Sequence, residues 1–364
     1  MKNLIFFLFF YLFSNLVTTQ EMPAMIDVVD HIVTPRHYIV TKTNQPLEID
    51  GKATESAWDR AAFSKYFIDI EGEQTPKYAT RMKMLWDSQY LYVYAWMAEP
   101  HVWGYLRQRD TVIYYNNDFE VFIDPSGDTH NYAEIEINAL GTVWDLLLTE
   151  PYRTKAKVFD HWNLDELQSA IHINGTLNNF TDRDSFWSVE MAIPLAPLLE
   201  LRDRSEDIPK EGEQWRINFS RVQWDHDIVD QHYERKKEKG KYLREYNWVW
   251  SNQKVINMHE PEKWGYLQFT HEESEGEVER IADEKAIYQQ ILYALFRKIK
   301  QGKFKELHSL PVGSQKKWQV NYGAENPIAA MFFKTNAGYE IMLASIDKKE
   351  KFLIDQDGLF RIIN

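Results

Sequence analysis

The sequence predicts a mainly β protein, two packed antiparallel sheets followed by one long helix and a small group of strands, and three observations predict it. Apolar and polar residues alternate in short runs along most of the chain. Turn residues separate these runs, and no run alternates with the long helices that a doubly wound parallel sheet requires. The chain is 44% hydrophobic and 15% aromatic, enough to fill a core, and it has no cysteine with which to staple one.

The elements follow in order. MKNLIFFLFFYLFSNLVTTQ carries Lys2 and an apolar run from Leu4 to Phe13. This is the pattern of a signal peptide over residues 1–20, and the run is shorter than the roughly 20 residues that a spanning helix needs. Export to the periplasm, cell surface or medium is expected, with no transmembrane segment in the mature chain. EMPAMIDVVDHIVTPRHY reads as an extended lead-in. QPLEIDGKATESAWDRA reads as a short strand ending at Gly51 and a helical turn with Trp58 facing inward. YATRMKMLWDSQYLYVYAWMAEP is a hairpin in which Met82, Met84 and Trp86 share one face, and Leu91, Val93 and Ala95 share another.

The next hairpin raises the functional question. In NNDFEVFIDP, Asp118, Glu120 and Asp124 alternate with Phe119, Val121 and Ile123. In NYAEIEINALG, Glu134, Glu136 and Asn138 alternate with Ala133, Ile135 and Ile137. Period two means strand, so one face is apolar and the other acidic, with PSGDTH as the reversal. The expectation is that solvent reaches the acidic face.

SAIHINGTLNN, DSFWSVEMAIPLAPLLE and QWRINFSRVQWD then read as strands, the second ended by Pro194 and Pro197. DHDIVDQHYERKKEKGKYLREYN is nearly all polar and reads as a solvated loop, after which NWVWS and KWGYLQF close the pattern. From Val278 to about Phe304, Ile281, Ile287, Ile291, Leu295 and Ile299 recur at helical spacing. Beyond it, GYEIMLASIDKKEKFLIDQDGLFRI gives two short strands and a third after Asp357-Gly358.

Charge narrows the function. Lys and Arg number 42 against 55 Asp and Glu, a formal charge of −13, which repels phosphate backbones and anionic membranes and argues against nucleic acid as a partner. No cysteine means no thiol nucleophile and no thiolate zinc site. No G-x-S-x-G elbow, phosphate-binding glycine loop or H-E-x-x-H occurs. The paired carboxylates suit glycoside hydrolysis in type, but an open sheet face gives little of the burial that a raised-pKa acid needs, so a non-catalytic role is expected. Asp124, Ser126, Asp128 and His130 offer oxygen ligands in the turn, with Asp124 and Asp128 the candidates for structural calcium. Asp225, His226, Asp227, Asp230 and His232 form a ligand-like set within the charged stretch, which solvated side chains explain more simply.

LEIDGKATESAWDRA, LWDSQYLYVYAWMAEP, NDFEVFIDP and WSNQKVINMHEPEKWGYLQF, in that order, resemble the family 9 carbohydrate-binding modules and their exported bacterial relatives. The similarity spans roughly Pro35 to Phe269, so that residues 35–270 form one domain and residues 271–364 an extension. The resemblance implies an immunoglobulin-like antiparallel β-sandwich and recognition of an oligosaccharide or polysaccharide during polysaccharide catabolism, in some members with structural calcium. It implies that the family's binding carboxylate falls on Glu120 and its first stacking ring on Tyr114. The family's arginine falls on Glu136 and its second ring on Met258, two departures in kind. The expected carbohydrate site is therefore Tyr114, Glu120, Asn138, Trp144 and Trp250, with Met258 at the second ring's place. The rival expectation is a surface scaffold that kept the fold, lost the sugar site and holds a protein partner through the extension.

Overall fold

The computed structural model describes residues 23–152, 157–202, 208–272 and 278–363. The segment read as a signal peptide lies outside them. The expected antiparallel sandwich is present. One layer runs, in spatial order, through strands Gln168–Asn174, Phe186–Pro194, Tyr90–Ala98, Thr80–Trp86 and His37–Lys42. The other runs from His37–Lys42 through Gly265–Phe269, Gln214–Gln223, Asp118–Asp124, Tyr132–Asn138 and Val143–Leu148. His37–Lys42 pairs in parallel with a neighbour on each side and so joins the layers.

Alternation decides which side chains meet between the layers. Met82, Met84 and Trp86 face Phe119, Val121, Ile123, Ile135 and Ile137, and all are essentially sealed from solvent. Each such side chain contributes about 1.5–3 kcal/mol by leaving water. One ionic pair crosses the edge of this core, Arg221 Nη2 on Glu99 Oε2 at 2.9 Å.

Gly265 explains why the closing strand needs its glycine: a Cβ there would lie 2.2 Å from the ring of Trp250 and 2.9 Å from the Arg36 carbonyl.

The polar stretch read as a loop instead forms two short hairpins, His226–Val229 with His232–Arg235 and Lys237–Glu238 with Lys241–Tyr242. Tyr233 anchors the first by stacking on Trp103 with centroids 6.1 Å apart. Alternation failed to signal this because most of these side chains remain in water.

The long helix is Ala286–Lys300, shorter than its periodicity suggested. Ile291, Leu295 and Ile299 are buried as expected, whereas Ile281 is exposed. Gln268 prevents an earlier start: its side chain donates to the Glu279 carbonyl (2.9 Å) and accepts from the Ile281 N–H (2.8 Å), holding that backbone against the sandwich. The helix packs on a six-stranded sheet ordered Ala24–Asp27, Gln315–Asn321, Ile328–Lys334, Tyr339–Ala344, Lys351–Asp355 and Phe360–Ile363. The lead-in strand thus pairs in parallel with residues almost three hundred positions later. Arg297 carries the helix onto the sandwich by gripping Glu262, with Nη2 to Oε2 at 2.9 Å, and by approaching Glu260 at 3.4 Å. Among the described residues no helix is long and apolar enough to cross a membrane.

Candidate carbohydrate site

The acidic hairpin pairs Glu120 with Glu136, Phe122 with Glu134 and Asp118 with Asn138; Glu136 in turn pairs with Trp144 on the next strand. Alternation therefore places Asp118, Glu120, Glu134, Glu136 and Trp144 on one face, as the sequence predicts. The expectation of a wet face fails. All four carboxylates are 5% exposed or less. Segments distant in sequence cover them: Ile70, the turn at Tyr114, Tyr152, Asn247, Ile256 and Met258 rise around the face and leave a cavity of about 390 Å³ open to solvent. Phe122, Tyr132, Leu146, Leu148, Val249 and Trp264 form a second small apolar core beside it.

Glu120, Glu134 and Glu136 line the cavity floor and Tyr114, Trp144, Tyr152 and Met258 its walls. Tyr114 is set by its own backbone, whose N–H donates to Glu136 Oε2 at 3.0 Å. Its ring meets Tyr115 edge-on at 4.9 Å. Tyr152 leans on His259 at 5.3 Å, and His259 Nδ1 lies 2.8 Å from the Tyr132 hydroxyl. The Trp144 indole N–H has no acceptor. Met258 lends its carbonyl to the Trp264 indole N–H at 2.7 Å, which fixes its thioether as a soft wall where a second ring was expected.

Burial dominates the electrostatics. Loss of water pushes Glu120 up to about 7, the Ser220 hydroxyl opposing and Glu245 adding to the rise. Burial and then the Glu120 charge hold Glu134 and Glu136 well above the carboxylate range. Asp118 is raised for the same two reasons. Burial, with Tyr115 beside it, pushes Tyr114 up to about 12. No arginine or lysine lines the cavity among the described residues. The floor therefore presents oxygen acceptors without competing cations.

Four expected site residues converge here: Tyr114, Glu120, Trp144 and Met258. Two need correction. Trp250 lies between the layers, 2% exposed and edge-on to Phe219 at 5.9 Å, because its strand position turns it inward. Asn138 is sealed and works as a turn clamp, donating to the Leu106 carbonyl (2.9 Å) and accepting from the Leu140 (3.0 Å) and Thr142 (3.1 Å) N–H groups. Tyr152 and Ile256 join the cavity from irregular segments that carried no periodic signal, and Asn247 joins it from the strand Tyr246–Val249.

The turn calcium expectation also needs correction. Asp124 is sealed, and its oxygens already take the Ser126 hydroxyl (3.0 Å) and the Gly127 and Thr129 N–H groups (2.8 Å each), while Asp128 takes the His130 N–H at 2.8 Å. A cation there would face inward-pointing donors, so these residues do not fit one; they close the reversal. The Asp225 set does not gather either. Asp225 pairs with Lys77 at 2.7 Å, whereas His226 packs among the rings of His101 and Tyr233.

Comparison with known proteins gives one family match and several structural likenesses. A module of family 9 from Caldicellulosiruptor kristjanssonii in complex with cellotriose is 14% identical, covering 68% of this chain and 100% of its own, with a TM-score of 0.42. The same module in complex with glucose is likewise 14% identical, covers 67% of this chain and 100% of its own, and gives 0.42. No curated protein sequence matches. The model of the carbohydrate family 9 binding domain-like family matches residues 49–272, which hold the acidic hairpin, the lining of the cavity and the strands of the two layers other than His37–Lys42. On that match, over more than half of its length, the chain belongs to the carbohydrate family 9 binding domain-like family.

Proposed function

We propose that this chain binds carbohydrate without hydrolysing it, seating one sugar unit in the acid-floored cavity. The observation that carries the reading is the convergence of Tyr114, Trp144 and Tyr152 on a floor of Glu120 and Glu134 within one concave site. Sugar C–H faces lie against flat rings, and carboxyl oxygens accept hydroxyl protons in bonds of about 1.5–3 kcal/mol when charged. Met258 and Glu136 replace a ring and an arginine of the family pattern, so the site grips through acceptors and two or three rings on one rim. A scaffold that had lost its site would be expected to show a flat face there, and this face is concave. Export after signal cleavage and a role in polysaccharide catabolism belong to the same proposal, supported by the apolar N-terminal run and by the family. Titration calorimetry with neutral gluco- and xylo-oligosaccharides, beside a glycan array, is the test. Binding on the order of micromolar to millimolar is expected, and retention of no sugar by the wild-type chain would overturn the reading.

Hydrolysis is the second reading, and burial of the acids favours it more than an open face would. A hydrolase also needs one carboxylate kept ionised beside its protonated partner. Here all four acids are pushed the same way. Release of reducing sugar by the purified chain would establish hydrolysis.

A further inference from the structure

Every other buried carboxylate among the described residues meets a cation or a hydrogen-bond donor. Glu99 meets Arg221 at 2.9 Å, Glu260 meets Lys263 at 2.6 Å, Asp184 takes the Val102 N–H at 2.7 Å and Glu190 the Trp58 indole at 2.9 Å; Asp69, Asp124, Asp145 and Glu262 are likewise provided for. The cavity floor breaks this rule. Neither oxygen of Asp118, which has no exposed surface, makes a well-aligned hydrogen bond among the described residues, and the backbone N–H of the paired Val222 is the one donor that bears on it. Glu134, 4% exposed and lining the cavity, takes no hydrogen-bond donor among the described residues. Burying unpaired acids is costly, and the usual remedies are a proton or a positive ion.

We propose that Asp118, Glu120 and Glu136 hold a divalent cation of calcium's size at the cavity floor. One oxygen from each of the three lies within 4.8 Å of the others. Oxygens that share a calcium ion at 2.3–2.6 Å stand about 3–5 Å from one another, so one oxygen from each of the three can reach a single ion. The donor set is all oxygen and all carboxylate, which selects a hard ion. The position of Asp118 favours a bare ion over an organic cation. It has no exposed surface and does not line the cavity, so an ammonium group attached to a sugar ring does not reach it. Three ligands on one side leave the ion's remaining positions toward the cavity, open to water or to a pair of sugar hydroxyls. That last step rests on the carbohydrate reading; the ion site itself does not.

The test uses the full mature chain, stripped with EDTA and titrated with terbium alone, then with calcium as competitor. Trp144 pairs across the sheet with Glu136, so terbium at this site takes up indole excitation and emits. Saturable emission at one ion per chain, displaced by calcium, is the expected result, with Asp118→Asn and Glu136→Gln each weakening it about tenfold or more. The stripped Asp118→Asn chain should melt no lower than the stripped wild type, because the change removes repulsion, and calcium should raise the melting temperature of the wild type alone. Absence of saturable emission, or variants that titrate as the wild type does, would overturn the ion site, whatever sugars bind. Binding of glucosamine to the stripped chain that blocks terbium would assign the cluster to an ammonium group and also overturn it.

Discussion

Glu120 and Glu136 stand directly opposite one another on paired strands, both buried, and among the described residues no lysine or arginine lines the cavity above them. Cross-strand like charges normally destabilise a sheet. They sit on the floor of the cavity that also gathers Tyr114, Trp144 and Tyr152, which is the ground of the proposed binding role.

Glu120→Gln and Trp144→Ala should each weaken sugar binding. Losing a charge-assisted acceptor removes about 1.5–3 kcal/mol, or roughly 10–150-fold in affinity. Calorimetry on both variants checks this, with thermal melting expected to change far less than affinity.

Trp250→Ala should do the reverse. Its ring fills the space between the layers, and truncating a buried tryptophan costs about 3–5 kcal/mol. Gly265→Ala drives a methyl group into the same ring and should cost about 1–3 kcal/mol. Urea unfolding of both variants reads the loss; unchanged midpoints would show that Trp250 is not the core residue described.

Arg297→Met should loosen the C-terminal helix from the sandwich. It leaves Glu262 buried without its guanidinium, and removing one partner of a buried pair costs about 3–5 kcal/mol. Limited proteolysis should cut the variant near the helix sooner than the wild type, and equal digestion rates would count against this docking.

Between pH 6.5 and 4 His37 should make stability fall as acid is added, against the rise that protonation of the raised cavity acids contributes. Burial, and then the charge of Arg280, push His37 down from 6.5 to about 4, with Gln268 opposing. The unfolded chain therefore binds a proton on this residue more readily than the folded one does. The contribution of neutral His37 is whole above pH 6.5 and is lost as pH falls toward 4. Urea midpoints of the wild type and His37→Gln compared across pH should show the stability of the wild type dropping relative to that of the variant as pH falls from 6.5 toward 4, and parallel curves would remove His37 from the account.

Asp124→Ala should destabilise the hairpin turn by about 1–3 kcal/mol, since three donors lose their acceptor. Added calcium should not restore the lost stability. Restoration by calcium would reinstate a metal role for this turn.

Much of this was legible in the residues. Alternation fixed the faces of the strands 80–98 and 118–138, and the helical stripe from Ile287 to Ile299 fixed the buried side of the helix, because side-chain direction within one element depends only on local backbone period. Two strands went unread, Gln315–Asn321, which is mostly polar, and Ile328–Lys334, whose apolar run does not alternate. Period two assigns Glu120 and Glu136 to one face but says nothing of what lies above that face. Tyr152, Asn247, Ile256 and Met258 arrive there through contacts between segments far apart in the chain, and these contacts turned an expected wet surface into a buried, acid-floored cavity. Trp144 and Trp250 show the division plainly. Their residue type is the same, and only the packing of whole layers decided that one is a wall of the site and the other part of the core, because burial is set by the sum of distant surfaces that meet and not by any local pattern.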